Sequence, residues 1–146
     1  MGASDKELEE EKSRPYVIDA SALYPLLLQT DVDRLIRLLP KIRVLDLTKY
    51  EVGNAARYDR KLTSAASLME EWEVILNSAG QEPITNLAEV QKIAKQHSIT
   101  FYDAAYVQVA SHLRSKLVTM DREILEKFHG QAISLDELER HLKVKS

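Results

Sequence analysis

The stretch YVIDAS, residues 16 to 21, joins a strand-like run to a helix-like pattern through a carboxylate. Tyr16, Val17 and Ile18 form an apolar run of the kind that is typical of a buried strand. Asp19 ends the run, and a helical pattern begins directly after it, with Ser21 as the predicted N-cap. Because ligands of open parallel sheets bind outside the carboxyl ends of the strands, Asp19 is a candidate functional residue.

The same alternation of strand-like and helix-like segments continues along the chain. Strands are predicted at residues 16–18, 42–47, 82–85, 116–120 and 131–135. Helices are predicted at residues 21–29, 31–39, 48–60, 63–77, 86–97, 102–113, 122–128 and 136–142. Strands separated by helices favour a parallel sheet that is covered on both faces, so the sequence predicts an α/β fold.

Length and composition narrow the class of protein. The 146 residues suit one domain, and the absence of cysteine excludes disulfides, thiolate-bound zinc and a catalytic thiol. Residues 1–14 carry five acids and three bases, and we predict a flexible charged extension there, followed by one domain over residues 15–146. The net charge of −3 excludes a uniformly basic nucleic-acid binder. No apolar run has the length of a membrane span, and we expect a cytoplasmic protein.

Four acids stand at the predicted ends of strands or the beginnings of helices. Asp19 and Asp121 follow apolar strands, Glu51 lies in the first turn of the helix after another strand, and Asp103 lies in the first turn of a later helix. Carboxylates that converge at one sheet edge repel each other, and a hard divalent cation relieves that repulsion. Carboxylates without histidine or cysteine suit Mg²⁺ or Mn²⁺ better than zinc.

Each of these acids also has a purely structural interpretation. Residues 48–51, TKYE, match a capping box with Glu51 at its third helical position, and residues 100–103, TFYD, have a similar pattern. Asp121 suits the N-cap of the helix that follows it, and residues 134–137 use the same device where no chemistry is expected. Taken singly, each acid is at least as well explained as a helix cap.

Other catalytic patterns are poorly represented. The chain has no GxGxxG, P-loop, GxSxG or HExxH motif, and its four histidines are scattered. A receiver-type phosphotransfer site needs an acidic pair near the first strand, and a haloacid-dehalogenase-type site needs Asp-x-Asp. The first strand offers only Asp19, Ala20 and Ser21.

Four motifs, in order along the chain, resemble the PIN-domain family and, within it, the VapC-type toxins. They are VIDASAL at 17–23, TKYEVGNA at 48–55, YDAAYVQVA at 102–110 and LVTMD at 117–121. The resemblance runs from about residue 15 to the end, although residues 61–101 carry little of the family pattern. It implies a three-layer α/β/α sandwich with a central parallel sheet, and a ribonuclease that depends on Mg²⁺ or Mn²⁺.

The resemblance also assigns expected roles to the four acids. Asp19 and Asp103 are the implied main metal ligands. Asp121 is expected to complete the site directly or through water, and Glu51 is expected to act mostly through water on the metal. These acids position metal and water for hydrolysis of an RNA phosphodiester bond, and they need not be nucleophiles themselves.

Further residues have supporting roles by the same resemblance. Ser21 matches a small hydroxyl residue that lines the family site, Thr119 matches a residue that helps to orient the acids, and Asn54 matches a polar residue on the Glu51 helix. Among the basic side chains, Lys49 and Arg122 neighbour the acids in sequence and are the preferred candidates for RNA phosphate contacts.

Partners follow from the resemblance as well. VapC-type proteins usually pair with a small VapB-type antitoxin and usually form homodimers, and the apolar helix faces around residues 23–39 and 62–76 are candidate surfaces. Two other functions stay open: an RNA-associated adaptor with the PIN fold that does not cleave, and a housekeeping RNA-processing nuclease that is not a toxin.

Overall fold

The computed structural model describes residues 4–6, 14–29 and 31–145 of the chain. The predicted flexible extension, residues 1–14, lies mostly outside the described residues. Within the described part, no helix is both long enough and apolar enough to cross a membrane.

A parallel sheet forms the centre of the described part of the molecule. Its five strands are β1 (Tyr16–Ile18), β2 (Ile42–Leu45), β3 (Gly80–Glu82), β4 (Leu117–Val118) and β5 (Ala132–Ile133). Their order is β3-β2-β1-β4-β5, and every neighbouring pair is parallel. The predicted parallel sheet is confirmed, with β1 in the middle.

Eight α-helices lie among the described residues outside 4–6. They are α1 (Ala20–Gln29), α2 (Val32–Leu38), α3 (Thr48–Tyr58), α4 (Ala65–Ser78), α5 (Leu87–His97), α6 (Phe101–His112), α7 (Arg122–Lys127) and α8 (Leu135–Lys145). Pro40 lies in a short 3₁₀ helix, Leu39–Lys41, which connects α2 to β2. The helices follow the predicted order.

The strand at the β3 edge of the sheet was predicted too late in the chain. It was expected over residues 82–85 but spans Gly80–Glu82. Proline lacks a backbone N–H and cannot donate to a sheet ladder, so Pro83 ends the strand instead of lying inside it. Gly80 and Gln81 have no apolar side chain to indicate the strand from sequence.

The two faces of the sheet bury two separate apolar cores. Alternate strand residues divide between them: Ile18 and Val118 belong to the core with α1–α4 and α8, whereas Val17 and Leu117 belong to the core with α5–α7. Because both faces are covered, the inner strands β1 and β4 read as continuous apolar runs. The three-layer α/β/α sandwich is confirmed.

Candidate active site

Asp19 caps the first helix of the domain from the carboxyl end of the central strand. Its backbone N–H donates to Val118 O on β4 (3.1 Å), and its Oδ1 accepts from the Ala22 N–H (3.2 Å). The predicted cap at Ser21 is therefore wrong, because α1 begins one residue earlier and Asp19 occupies the cap position. The side chain is only 8% exposed, so its orientation is set by the surrounding protein.

Two hydroxyl groups tie Asp19 to the loop that carries Asp121. The Ser21 hydroxyl donates to Asp19 Oδ1 (2.6 Å) and accepts from the Met120 N–H (2.9 Å). The fully buried Thr119 places its Oγ1 3.2 Å from the Ser21 Oγ and accepts from the Asp121 N–H (3.1 Å). Ser21 and Thr119 thus connect Asp19 to the backbone of the segment that carries Asp121.

Asp121 and Asp103 each lie at the N-terminus of a helix. Asp121 Oδ1 accepts from the Ile124 N–H (3.2 Å) and caps α7, as its structural interpretation predicted. The N-cap of α6 is Thr100, whose Oγ1 accepts from the Asp103 N–H (3.1 Å). The carboxylate of Asp103 lies in the first turn of α6, where the positive end of the helix favours a negative charge.

Glu51 is not part of a capping box, although its local sequence predicts one. Helix α3 begins at Thr48, with Leu47 in the cap position and no side-chain cap. The buried Thr48 hydroxyl instead accepts from the Leu45 N–H (3.0 Å) and lies 2.7 Å from the Tyr106 hydroxyl. Tyr106 in turn donates to Glu51 Oε1 (2.6 Å). A contact across 55 residues of sequence therefore replaces the local cap.

Electrostatic coupling links the four acids to one another. Burial raises the pKa of Asp19, and the charge of Asp103 raises it further. Burial also raises the pKa of Glu51, with added repulsion from Asp19 and Asp103 and an opposing hydrogen bond from Tyr106. The pKa of Asp103 is raised by burial and then by the charges of Asp121 and Glu123. The structure therefore brings the four predicted acids together at one edge of the sheet.

Glu123 is a fifth acid that the sequence did not single out. It lies in the first turn of α7, two residues after Asp121, and its carboxylate pairs with Lys127. The available signal was its spacing from Asp121, but its side chain is 56% exposed and its charge is already paired. Glu123 adds negative charge at the rim of the cluster.

No basic side chain neutralises the four acids within the described residues. The ion pairs there join Arg34 to Glu139, Arg43 to Glu82 and Lys127 to Glu123. The described residues also hold no group of three or more acidic, histidine or cysteine side chains that is placed to enclose an ion directly. Mg²⁺ usually keeps several waters and takes only one or two carboxylates, so this donor set fits a water-rich site for a hard cation.

The remaining predicted residues lie at the margin of the acids. Asn54 is exposed one turn after Glu51, and Arg122 is exposed at the start of α7. Lys49 extends over the ring of Tyr50, 5.3 Å from its centroid. In the described contacts, none of the three bonds to the four carboxylates. The structure does not bring them into the cluster.

The raised pKa values predict how the metal-free protein responds to pH. In the folded protein the pKa values of Asp19 and Asp103 lie above the ordinary carboxyl pKa, which is near 4. Such a group makes the fold progressively less stable as the pH increases from the ordinary pKa to the raised pKa. We therefore expect Asp103→Asn, in EDTA, to unfold at a higher temperature than wild type at pH 7 and at nearly the same temperature at pH 4. Thermal unfolding from pH 4 to 7.5 measures this difference, and a variant that is less stable at pH 7 would contradict it.

Comparison with known proteins gives three related findings on sequence. The family model "PIN domain" matches residues 16–130. Exonuclease VapC9 of Pyrobaculum aerophilum is 40% identical over 127 residues, which cover 84% of this chain and 92% of that protein. Ribonuclease VapC3 of the same organism is 33% identical over 122 residues, which cover 77% of this chain and 93% of that protein.

The fold is also found among solved structures. The crystal structure of PAE2754 from Pyrobaculum aerophilum superposes with a TM-score of 0.78 and 33% sequence identity. The match covers 91% of this chain and 98% of that one. The likeness therefore extends over most of this chain and almost all of that one.

Proposed function

This chain belongs to the PIN domain family, and from that premise we propose that it is a ribonuclease of the VapC type that depends on Mg²⁺ or Mn²⁺. Its substrate is RNA, and its reaction is hydrolysis of phosphodiester bonds. Residues 15–146 form the nuclease domain. Relatives of this chain are named as an exonuclease and a ribonuclease, and those names support a nuclease.

The placement of the acids at the carboxyl edge of the sheet, on segments connected by the hydrogen bonds of Ser21, Thr119 and Tyr106, is the observation that carries this proposal. Burial raises the pKa values of Asp19, Glu51 and Asp103, and the charge of Asp103 adds to the shift of Asp19 and of Glu51. No lysine or arginine of the described residues pairs with them. A fold that needs only helix caps has no reason to concentrate these charges. A divalent cation and its water supply the missing positive charge.

The four acids are proposed to bind the metal in two ways, directly or through water. A bound Mg²⁺ or Mn²⁺ would lower the pKa of an attacking water and stabilise charge on the phosphate. Asp19 and Asp103 are the proposed direct ligands, Asp121 a ligand directly or through water, and Glu51 a ligand through water. The hydroxyl of Ser21 fixes one carboxylate oxygen of Asp19, so that ligand is oriented in advance.

RNA is proposed to approach over the rim of the acids. Lys49 and Arg122 would hold phosphates, and Tyr50, which is 71% exposed, offers a face for a base.

Cleavage of RNA by the purified chain tests the proposal. We expect an unstructured RNA to be cut in Mn²⁺, an excess of EDTA to stop the reaction, and fresh Mn²⁺ to restore it. DNA of the same sequence is the substrate control. If the chain bound RNA equally tightly with and without EDTA and left it intact, the result would contradict a nuclease and favour an adaptor.

We propose that a VapB-type antitoxin is the partner of this chain. An apolar groove of about 730 Å³ runs between α1, α2 and α4, within the two surfaces predicted from sequence. Leu28, Val32, Ile36 and Val74 line it and are 42–68% exposed. Such a groove suits the apolar side of an amphipathic antitoxin segment.

Inspecting the neighbouring genes for a small protein, and coexpressing the chain with one that is found there, separates a toxin from a housekeeping nuclease. When it is expressed without the small protein, a toxin is expected to arrest the growth of its host. When both are expressed, the toxin should co-purify with the small protein and growth should continue. Ile36→Glu should abolish co-purification and retain cleavage, whereas Leu87→Glu, an exposed apolar residue outside the groove, should retain both. Harmless expression without a partner would favour the housekeeping nuclease.

We further propose that the chain forms a homodimer and acts in the cytoplasm. Both proposals rest on its kinship with VapC proteins. Light scattering of the purified chain measures its mass, and a monomer at all concentrations would contradict the first of them.

A further inference from the structure

A chain of buried hydrogen bonds runs from the end of β2 to the carboxylate of Glu51. The Leu45 N–H donates to Thr48 Oγ1 (3.0 Å), Thr48 Oγ1 lies 2.7 Å from Tyr106 Oη, and Tyr106 Oη donates to Glu51 Oε1 (2.6 Å). Thr48 is fully buried and Tyr106 is 1% exposed. Their hydroxyl groups have no solvent to bond instead.

The direction of each bond in this chain follows from counting protons. A tyrosine hydroxyl has one hydrogen, and that of Tyr106 goes to Glu51. The bond between Thr48 and Tyr106 must therefore be donated by Thr48, which is free to donate because it accepts from the Leu45 N–H. All three bonds point toward Glu51, and aligned hydrogen bonds polarise one another, so the last donor is a strong one.

Tyr106 also connects the two helices that carry acids. It lies three residues after Asp103, on the same side of α6, and its bond crosses to Glu51 on α3. Glu51 is repelled by Asp19 and Asp103. Without the Tyr106 hydroxyl, that repulsion and the flexibility of a glutamate side chain would turn Glu51 away from the other acids.

We propose that Tyr106, with Thr48 behind it, is a positioning residue that holds one oxygen of Glu51 and sets the spacing between Glu51 and Asp103 for the metal. This inference rests on the proposed metal-dependent function. A phenylalanine at position 106 would fill the same space in the core, so the proposed role depends on the hydroxyl group that bonds Glu51. Outer hydrogen bonds to direct ligands typically change metal affinity by about 10- to 100-fold, and because Glu51 is proposed to act through water we expect the lower end of that range.

Calorimetric titration with Mn²⁺ at pH 7 tests the proposal on the full-length chain. We expect Tyr106→Phe to bind Mn²⁺ about tenfold more weakly than wild type, and Tyr58→Phe, which loses an exposed hydroxyl from the far end of α3, to bind normally. In cleavage assays the Mn²⁺ concentration for half-maximal rate should rise similarly, while the KM for RNA at saturating Mn²⁺ stays unchanged.

A second pair of variants tests the chain of bonds if Tyr106→Phe folds poorly. Thr48→Val keeps the shape of the side chain and should weaken Mn²⁺ binding, whereas Thr48→Ser keeps the hydroxyl and should restore it. If both phenylalanine and valine variants bind Mn²⁺ like wild type, Tyr106 has only a structural role and the inference is overturned. If wild type binds no Mn²⁺, the proposed function fails first and this inference fails with it.

Discussion

Replacing Asp19 and Asp103 together with asparagine is expected to lower the rate of RNA cleavage by about a thousandfold or more and to abolish measurable Mn²⁺ binding. Both carboxylates are proposed direct ligands, and a neutral amide is a poor ligand for a hard cation. The fold should survive. Asparagine is as good an N-cap as aspartate, so the cap that Asp19 gives to α1 is kept, and the repulsion between the two side chains disappears.

The matched control removes two carboxylates from elsewhere on the surface. Asp33→Asn/Asp136→Asn loses the same total charge from the first turns of α2 and α8, and it should cleave RNA and bind Mn²⁺ like wild type. Rates in excess Mn²⁺ and calorimetric titrations provide the measurements. If the double variant at Asp19 and Asp103 still bound Mn²⁺ with wild-type affinity, the acids would be helix caps and the chain an adaptor.

The features that sequence predicted best are those that depend on neighbouring residues and on topology. The runs before Asp19 and Asp121 are apolar because both faces of a parallel sheet are buried, and so β1 and β4 are visible without a structure. Parallel strands end on the same edge, so their following residues meet. Convergence of Asp19, Glu51 and Asp121 was therefore predictable from topology, whereas Asp103 follows a helix and its place among them was indicated only by the family resemblance.

The features that sequence could not supply depend on contacts between distant residues. The pattern TKYE fits a capping box locally, but Glu51 accepts from Tyr106 instead and the hydroxyl of the buried Thr48 bonds Leu45 and Tyr106, so the cap does not form. Nothing in either segment indicates that they meet. Likewise, Ser21 and Asp19 were equally suitable caps by residue type, and strand pairing at Val118 decided between them by placing Asp19 first.

Ile18→Ala is expected to have the largest effect on stability among the single substitutions considered. Ile18 is fully buried in the central strand, where it pairs with Val118 and contributes to the core with α1–α4 and α8. Truncation should lower the free energy of unfolding by about 3 kcal/mol, from lost burial and the cavity that remains. The midpoint of thermal unfolding should fall by about 6–12 °C.

Ile36→Ala makes the same chemical change at a groove residue that is 55% exposed, and it should alter the free energy of unfolding by less than about 0.5 kcal/mol. Urea unfolding of both variants measures the contrast. If Ile36→Ala lowered the free energy of unfolding as much as Ile18→Ala does, the groove would be covered in solution even when no antitoxin is present. A second copy of the chain would then be the first candidate to cover the groove. In that case the stability of wild type would increase with protein concentration, and the stability of Ile36→Ala would increase much less.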